Sequence, residues 1–187
     1  LRASVVSMQR ASRAVETRLG ELDLDQHRRR ISNIAAHRAR TVVEARRKEP
    51  TAADPRREAR RLNELGAQLR REGKREEAAE QHMAALEIVH AIGDRRAEAL
   101  TRNNLALALV HTGGVAVAVQ QFEEALILLR ELGDEEHEGQ VIANLASVRR
   151  RQGRDEDADS LLTAALDKLP PESSAYRQVE EQLRRAS

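Results

Sequence analysis

Two asparagine pairs carry the first hint of chemistry. Asn63 and Asn103 are forty residues apart, and so are Asn104 and Asn144. An asparagine amide has a donor and an acceptor, so it can pair with both polar groups of an extended peptide backbone. Leu100 and Leu107 lie between them in the chain. Arg60, Arg70 and Arg71 come before these leucines and Arg150 and Arg151 after them. An apolar centre with a polar rim is the usual anatomy of a binding patch, and the planar guanidinium favours carboxylates. These residues point to recognition of a polypeptide.

Catalysis finds little support. The chain has no Gly-rich phosphate loop and no HExxH. Its histidines (His27, His37, His82, His90, His111 and His137) form no i, i+4 pair, and each reads as a surface or core histidine. Cys is absent, which removes disulfides, thiolate metal sites and a Cys nucleophile. Asp134-Glu135-Glu136 and Asp155-Glu156-Asp157 read as helix starts that complement the helix dipole. No enzyme activity, cofactor or metal is expected. Arg28-Arg29-Arg30 and Arg46-Arg47-Lys48 could meet nucleic acid, but no aromatic platform accompanies them, so binding to single strands is not expected.

The elements that must hold these side chains are helices. Ala, Leu, Arg and Glu dominate, and there is one Phe, one Tyr and no Trp; these are strong helix formers with few of the aromatics a sheet protein carries. Leu65, Leu105 and Leu145 recur at a period of forty. So do Gly73, Gly113 and Gly153, and so do Ala78, Ala118 and Ala158. Ala85, Ala125 and Ala165, then Leu86, Leu126 and Leu166, hold the same spacing. A fixed period in this range marks a solenoid, whose units bury their apolar faces against one another. The middle unit has neighbours on both sides, so its first helix, read over Ala97–His111, should lie at the centre of any groove.

The periodicity divides the chain into repeats over 58–97, 98–137 and 138–172, followed by a capping helix over 173–187 that Ser173 or Ser174 should N-cap. The first helix should run from Glu58 to about Arg71, where Gly73 ends it. Residues 1–57 read as a basic helical segment, with 14 Lys/Arg against 7 Asp/Glu, while residues 58–187 hold 18 against 24. Within it, residues 15–54 align with the repeat at an offset of 43, as a worn terminal copy would; a plain long helix or hairpin is the alternative. Pro50 and Pro55 bracket a break in the helical pattern. No apolar run approaches the ~20 residues that cross a bilayer, and a cytoplasmic setting is expected. The chain opens at Leu1 without a Met, as a piece of a longer protein would.

At these positions the sequence resembles the tetratricopeptide repeat family. Its first large residue falls on Leu62, Arg102 and Ile142, and its Leu-Gly pair on Leu65-Gly66, Leu105-Ala106 and Leu145-Ala146. The next large position is Leu69, Leu109 and Arg149. The small Ala follows at Ala78, Ala118 and Ala158, then His82, Phe122 and Leu162, then Ala85, Ala125 and Ala165; the Pro survives only as Pro170. The forty-residue period is similar to the longer variant of kinesin light chains and of bacterial regulators and sensor domains. The resemblance implies an all-α, right-handed α-solenoid of antiparallel helix pairs, and a function in binding proteins or peptides. It also implies that the first helix of each pair lines the concave face. There Asn63, Asn103, Asn104, Asn144, Leu100, Leu107, Arg70, Arg150 and Arg151 would hold an extended, partly acidic segment, in the regulatory or sensor part of a larger bacterial protein. Glu64 interrupts the asparagine ladder in the first unit. Three alternatives stay open: asparagines that only bridge adjacent helices, an assembly or homo-oligomerisation module whose groove its own N-terminal helices cover, and the sensor end of a signalling NTPase or transcription regulator.

Overall fold

The computed structural model describes residues 54–185. The chain divides into two units, 1–49 and 50–187, and the described residues belong to the second. The proposed worn repeat over 15–54 and nearly all of the basic segment over 1–57 lie outside the described residues.

Seven helices follow one another among the described residues: α1 (Pro55–Arg71), α2 (Arg75–Ala91), α3 (Arg95–Leu109), α4 (Val115–Leu132), α5 (Glu135–Arg151), α6 (Asp155–Leu166) and α7 (Ser174–Arg184). They pack in chain order, each on the next. Only α1 with α3, and α3 with α5, add notable contacts beyond that order. This is an all-α solenoid of helix pairs. Because the first helices of successive pairs are the ones that also meet, they occupy the inside of the curve.

Asp54, Asp94 and Asp134 start the three pairs at the same forty-residue spacing. Their carboxylates accept from the backbone N–H of Arg56 (3.0 Å), Ala97 (3.1 Å) and His137 (3.4 Å), satisfying donors that a helix leaves free in its first turn. This cap moves two expected boundaries. The first helix begins at Pro55 instead of Glu58, because Pro fits the first helical position, where no N–H is needed. The helix expected over Ala97–His111 begins two residues earlier, at Arg95, directly after its Asp94 cap.

The first two pairs close on left-handed glycines, Gly93 and Gly133, and within each pair the helices join at another, as at Gly73 (φ 81°). There the Lys74 N–H donates to Leu69 O at 2.9 Å and the Gly73 N–H to Arg70 O at 3.1 Å, using carbonyls that the helix end would leave unpaired. The alanines of the repeat then let the paired helices approach. Ala78, Ala85, Ala118, Ala125, Ala158 and Ala165 are all fully buried, with Phe122, Leu129 and Leu162 filling the space between. The last pair ends differently. Leu169 is buried against α5 where Gly139 leaves room; a Cβ there would stand 2.8 Å from Leu169 Cγ. Ser173 then caps α7, accepting from the Tyr176 N–H at 3.0 Å, and Val179 is its buried residue.

Candidate binding groove

The inner face is built by α1, α3 and α5, and the asparagines among the candidate side chains lie along it. Asn63 on α1 is held at both ends. Its Nδ2 donates to Thr101 Oγ1 on α3 at 2.7 Å, and its Oδ1 stands 2.9 Å from His82 Nδ1 on α2. Asn103 and Asn144 meet each other, Asn144 Nδ2 donating to Asn103 Oδ1 at 2.8 Å. These two bridges join the first repeat to the second and the second to the third.

Asn104 differs. It is half-buried, and among the described residues its amide has no hydrogen-bond partner. It borders a concavity between α1 and α3 whose wall also includes Asn63, Glu64, Ala67, Leu100 and Thr101. Leu100 and Leu107 are both half-buried on α3, one turn before and one turn after Asn104.

The cations divide in the same way. Arg150 is engaged, its guanidinium paired with Asp159 and 4.0 Å from Asp155. Arg151 lies against His111 of the preceding repeat, with Nη1 2.9 Å from Nδ1. Arg70 is half-buried at the end of α1, with no carboxylate partner among the described residues.

Sequence reasoning missed a polar network between the first two repeats. Arg102 holds the place that Leu62 and Ile142 take in the other repeats. It donates to Glu98 Oε1 at 2.7 Å and Gln121 Oε1 at 3.0 Å, and pairs with Glu124. Glu98 is buried, and His90 of α2 stands 3.2 Å from its carboxylate. Burial alone would raise its pKa, but the bonds from Arg102 and His90 outweigh that and hold the carboxyl below its usual range. Glu138 repeats the scheme one unit on: it is buried, and accepts from Arg130 at 2.7 Å and from Lys168 at 3.4 Å. The signal was present in the sequence as Glu58, Glu98 and Glu138 at a period of forty, on a face that otherwise reads as apolar.

Among the described residues no group of His, Asp and Glu is arranged to hold a metal ion, and no helix is long and apolar enough to cross a membrane.

Stacked helix pairs with paired alanines and a first-helix inner face define a helical-repeat protein. Residues 99–169 match the family model described as Tetratricopeptide repeat, the family that the residue pattern resembles. The fold is similar to the crystal structure of BtubC (BKLC) from P. vanneervenii, with a TM-score of 0.63 and 22% identity over 74% of this chain. The chain spans 59% of the length of that protein. No curated protein matches. Tetratricopeptide repeats generally mediate protein–protein interaction as non-catalytic scaffolds, binding proteins or peptides.

Proposed function

We propose that the inner face of the repeats binds an extended, partly acidic segment of a protein, centred on α3. The observation that carries this reading is Asn104. Its amide is the one member of the two asparagine rows without a hydrogen-bond partner among the described residues, and it stands beside the half-buried Leu100. An amide that serves only to join helices would be engaged, as those of Asn63, Asn103 and Asn144 are. Leu100 and Leu107 offer apolar contact along the same helix, and Arg70 offers charge at its edge. The other three asparagines then shape the groove, and Asn104 does the binding. In this reading the chain is the recognition part of a larger regulatory or sensor protein.

The test is to pan a randomised peptide library on the full chain and compare the enriched peptides on wild type and Asn104→Ala. Two lost hydrogen bonds, each worth about 0.5–1.5 kcal/mol, should weaken binding by about tenfold, with stability changed by no more than about 0.5 kcal/mol. Equal binding to both proteins would remove Asn104 from the site and favour the assembly reading, in which the asparagine rows only join helices.

A further inference from the structure

Asn104 is open although its counterpart one repeat on is not. Asn144 Nδ2 donates to Asn103 Oδ1, a residue 41 positions earlier. Asn104 and Asn63 have the same separation in sequence and border one concavity, yet Asn104 has no hydrogen-bond partner among the described residues. The difference lies in what surrounds the partner asparagine. Around Asn63 stand His82 on α2 and Thr101 on α3, both polar and fully buried. The repeat-equivalent positions around Asn103 hold Phe122 on α4 and Val141 on α5, equally buried but apolar. Buried polar groups take hydrogen-bond partners, and Asn63 serves both of its neighbours. Its Nδ2 donates to Thr101 Oγ1 at 2.7 Å, and its Oδ1 stands 2.9 Å from His82 Nδ1. The Asn63 amide is thereby turned with its nitrogen towards α3 and its oxygen towards α2. Phe122 and Val141 make no such demand on Asn103, and its oxygen meets Asn144 on α5 at 2.8 Å.

Asn104 is half-buried and can turn to water, whereas His82 and Thr101 cannot. An unmet polar group is far more costly in the core than at a wet edge, so the two buried groups win Asn63 and Asn104 is left out. We propose that His82 and Thr101 are positioning residues of the groove: by engaging Asn63 they keep the Asn104 amide open for a ligand, while the second junction is closed by its own Asn103–Asn144 bond. Two substitutions between otherwise equivalent repeats, His82 for Phe122 and Thr101 for Val141, then decide which junction can bind polypeptide backbone. This rests on the peptide-binding reading only for what the open amide meets.

Rebuilding the first junction as the second tests this without any ligand. The variant is His82→Phe with Thr101→Val in the full chain. The Asn104 side-chain amide signals, assigned by their loss in Asn104→Ala, are followed by NMR hydrogen exchange. In wild type they should exchange as exposed amides do. In the double variant Asn63 is released to meet Asn104, and exchange should slow by about fivefold, the protection that one net hydrogen bond gives. Adding Asn63→Ala should return the wild-type rate. Peptides enriched on wild type should bind the double variant about tenfold more weakly, and the triple variant should regain most of that loss, a recovery that a merely weakened fold would not show. Circular dichroism checks that each variant is helical. If the double variant does not fold, the reciprocal exchange decides: Ala106→Gly, Phe122→His and Val141→Thr should release Asn144 and speed exchange of its amide by about the same factor. Unaltered Asn104 exchange in the folded double variant, or unaltered Asn144 exchange in the reciprocal one, overturns the proposal. Slowed Asn104 exchange with no peptide enriched on wild type would support the positioning role and count against the groove reading.

Discussion

His82 Nδ1 and Asn63 Oδ1 stand 2.9 Å apart inside the first repeat, and that bond fixes the state of a fully buried imidazole. Asn63 Nδ2 is already donating to Thr101, so Oδ1 faces the ring and Nδ1 must donate the proton. Nε2 is then a buried acceptor with no partner. Protonating it would place a charge and an unmet donor in the core. Burial, with a smaller push from the Arg70 charge, accordingly lowers the pKa from 6.5 to about 4.

The ring fits only because Gly66 lies beneath it. A Cβ at Gly66 would stand 2.6 Å from His82 Cε1 and 2.8 Å from Nε2. Gly66→Ala should therefore cost about 1–3 kcal/mol through overpacking, read as a lower urea midpoint. The second repeat carries Ala106 and Phe122 at these positions, both fully buried. Adding His82→Phe to Gly66→Ala should restore part of the loss by rebuilding that pair. An unaltered midpoint for Gly66→Ala would show that the ring does not occupy this place.

Stability should fall with acid before the carboxylates titrate. The folded pKa of His82 is depressed, so its contribution is complete above pH 6.5 and is lost as pH falls towards about 4. At about 1.4 kcal/mol per unit, the unfolded chain gains roughly 3 kcal/mol relative to the fold across that window. Urea midpoints measured from neutral to acid pH should decline in wild type from about pH 6.5. In the Gly66→Ala/His82→Phe variant the upper part of that decline should disappear, leaving the acid limb from groups such as Glu98. Parallel curves would mean that His82 is protonated in the fold.

Ala125 tests the helix pairing of the central repeat. It is fully buried on α4 beside the equally buried Ala118, one face of the close approach of α3 and α4. Ala125→Leu should overpack that contact by about 1–3 kcal/mol. Thermal unfolding of the variant at an unchanged Tm would contradict the repeat register.

The fold was legible because the repeat writes its small residues at a fixed period. Ala78, Ala118 and Ala158 are small for one reason in all three copies, and so are Ala85, Ala125 and Ala165. The groove was less legible, because an asparagine carries the same symbol whether it joins helices or waits for a ligand. Asn63 and Asn104 differ only in their surroundings: Thr101 and His82 reach the first, and nothing among the described residues reaches the second. Pro55 misled for a related reason. A Pro reads as a break, and only the Asp54 cap before it turns the break into a beginning. Arg102 was also hidden, since a single Arg in an apolar column gives no sign of the Glu98, Gln121 and Glu124 side chains that receive it.

The bridges from Asn63 to Thr101 and from Asn144 to Asn103 have a mechanical consequence. Each joins successive repeats along the inner edge by a single neutral hydrogen bond, worth about 1 kcal/mol net. Flattening the curve would stretch both of them, and with them the ion pairs from Arg56 to Asp94 and from Arg96 to Asp134 that tie the same repeats. The curvature is therefore held from the inside by directional polar ties, while the alanine packing within each pair keeps the pair's own shape.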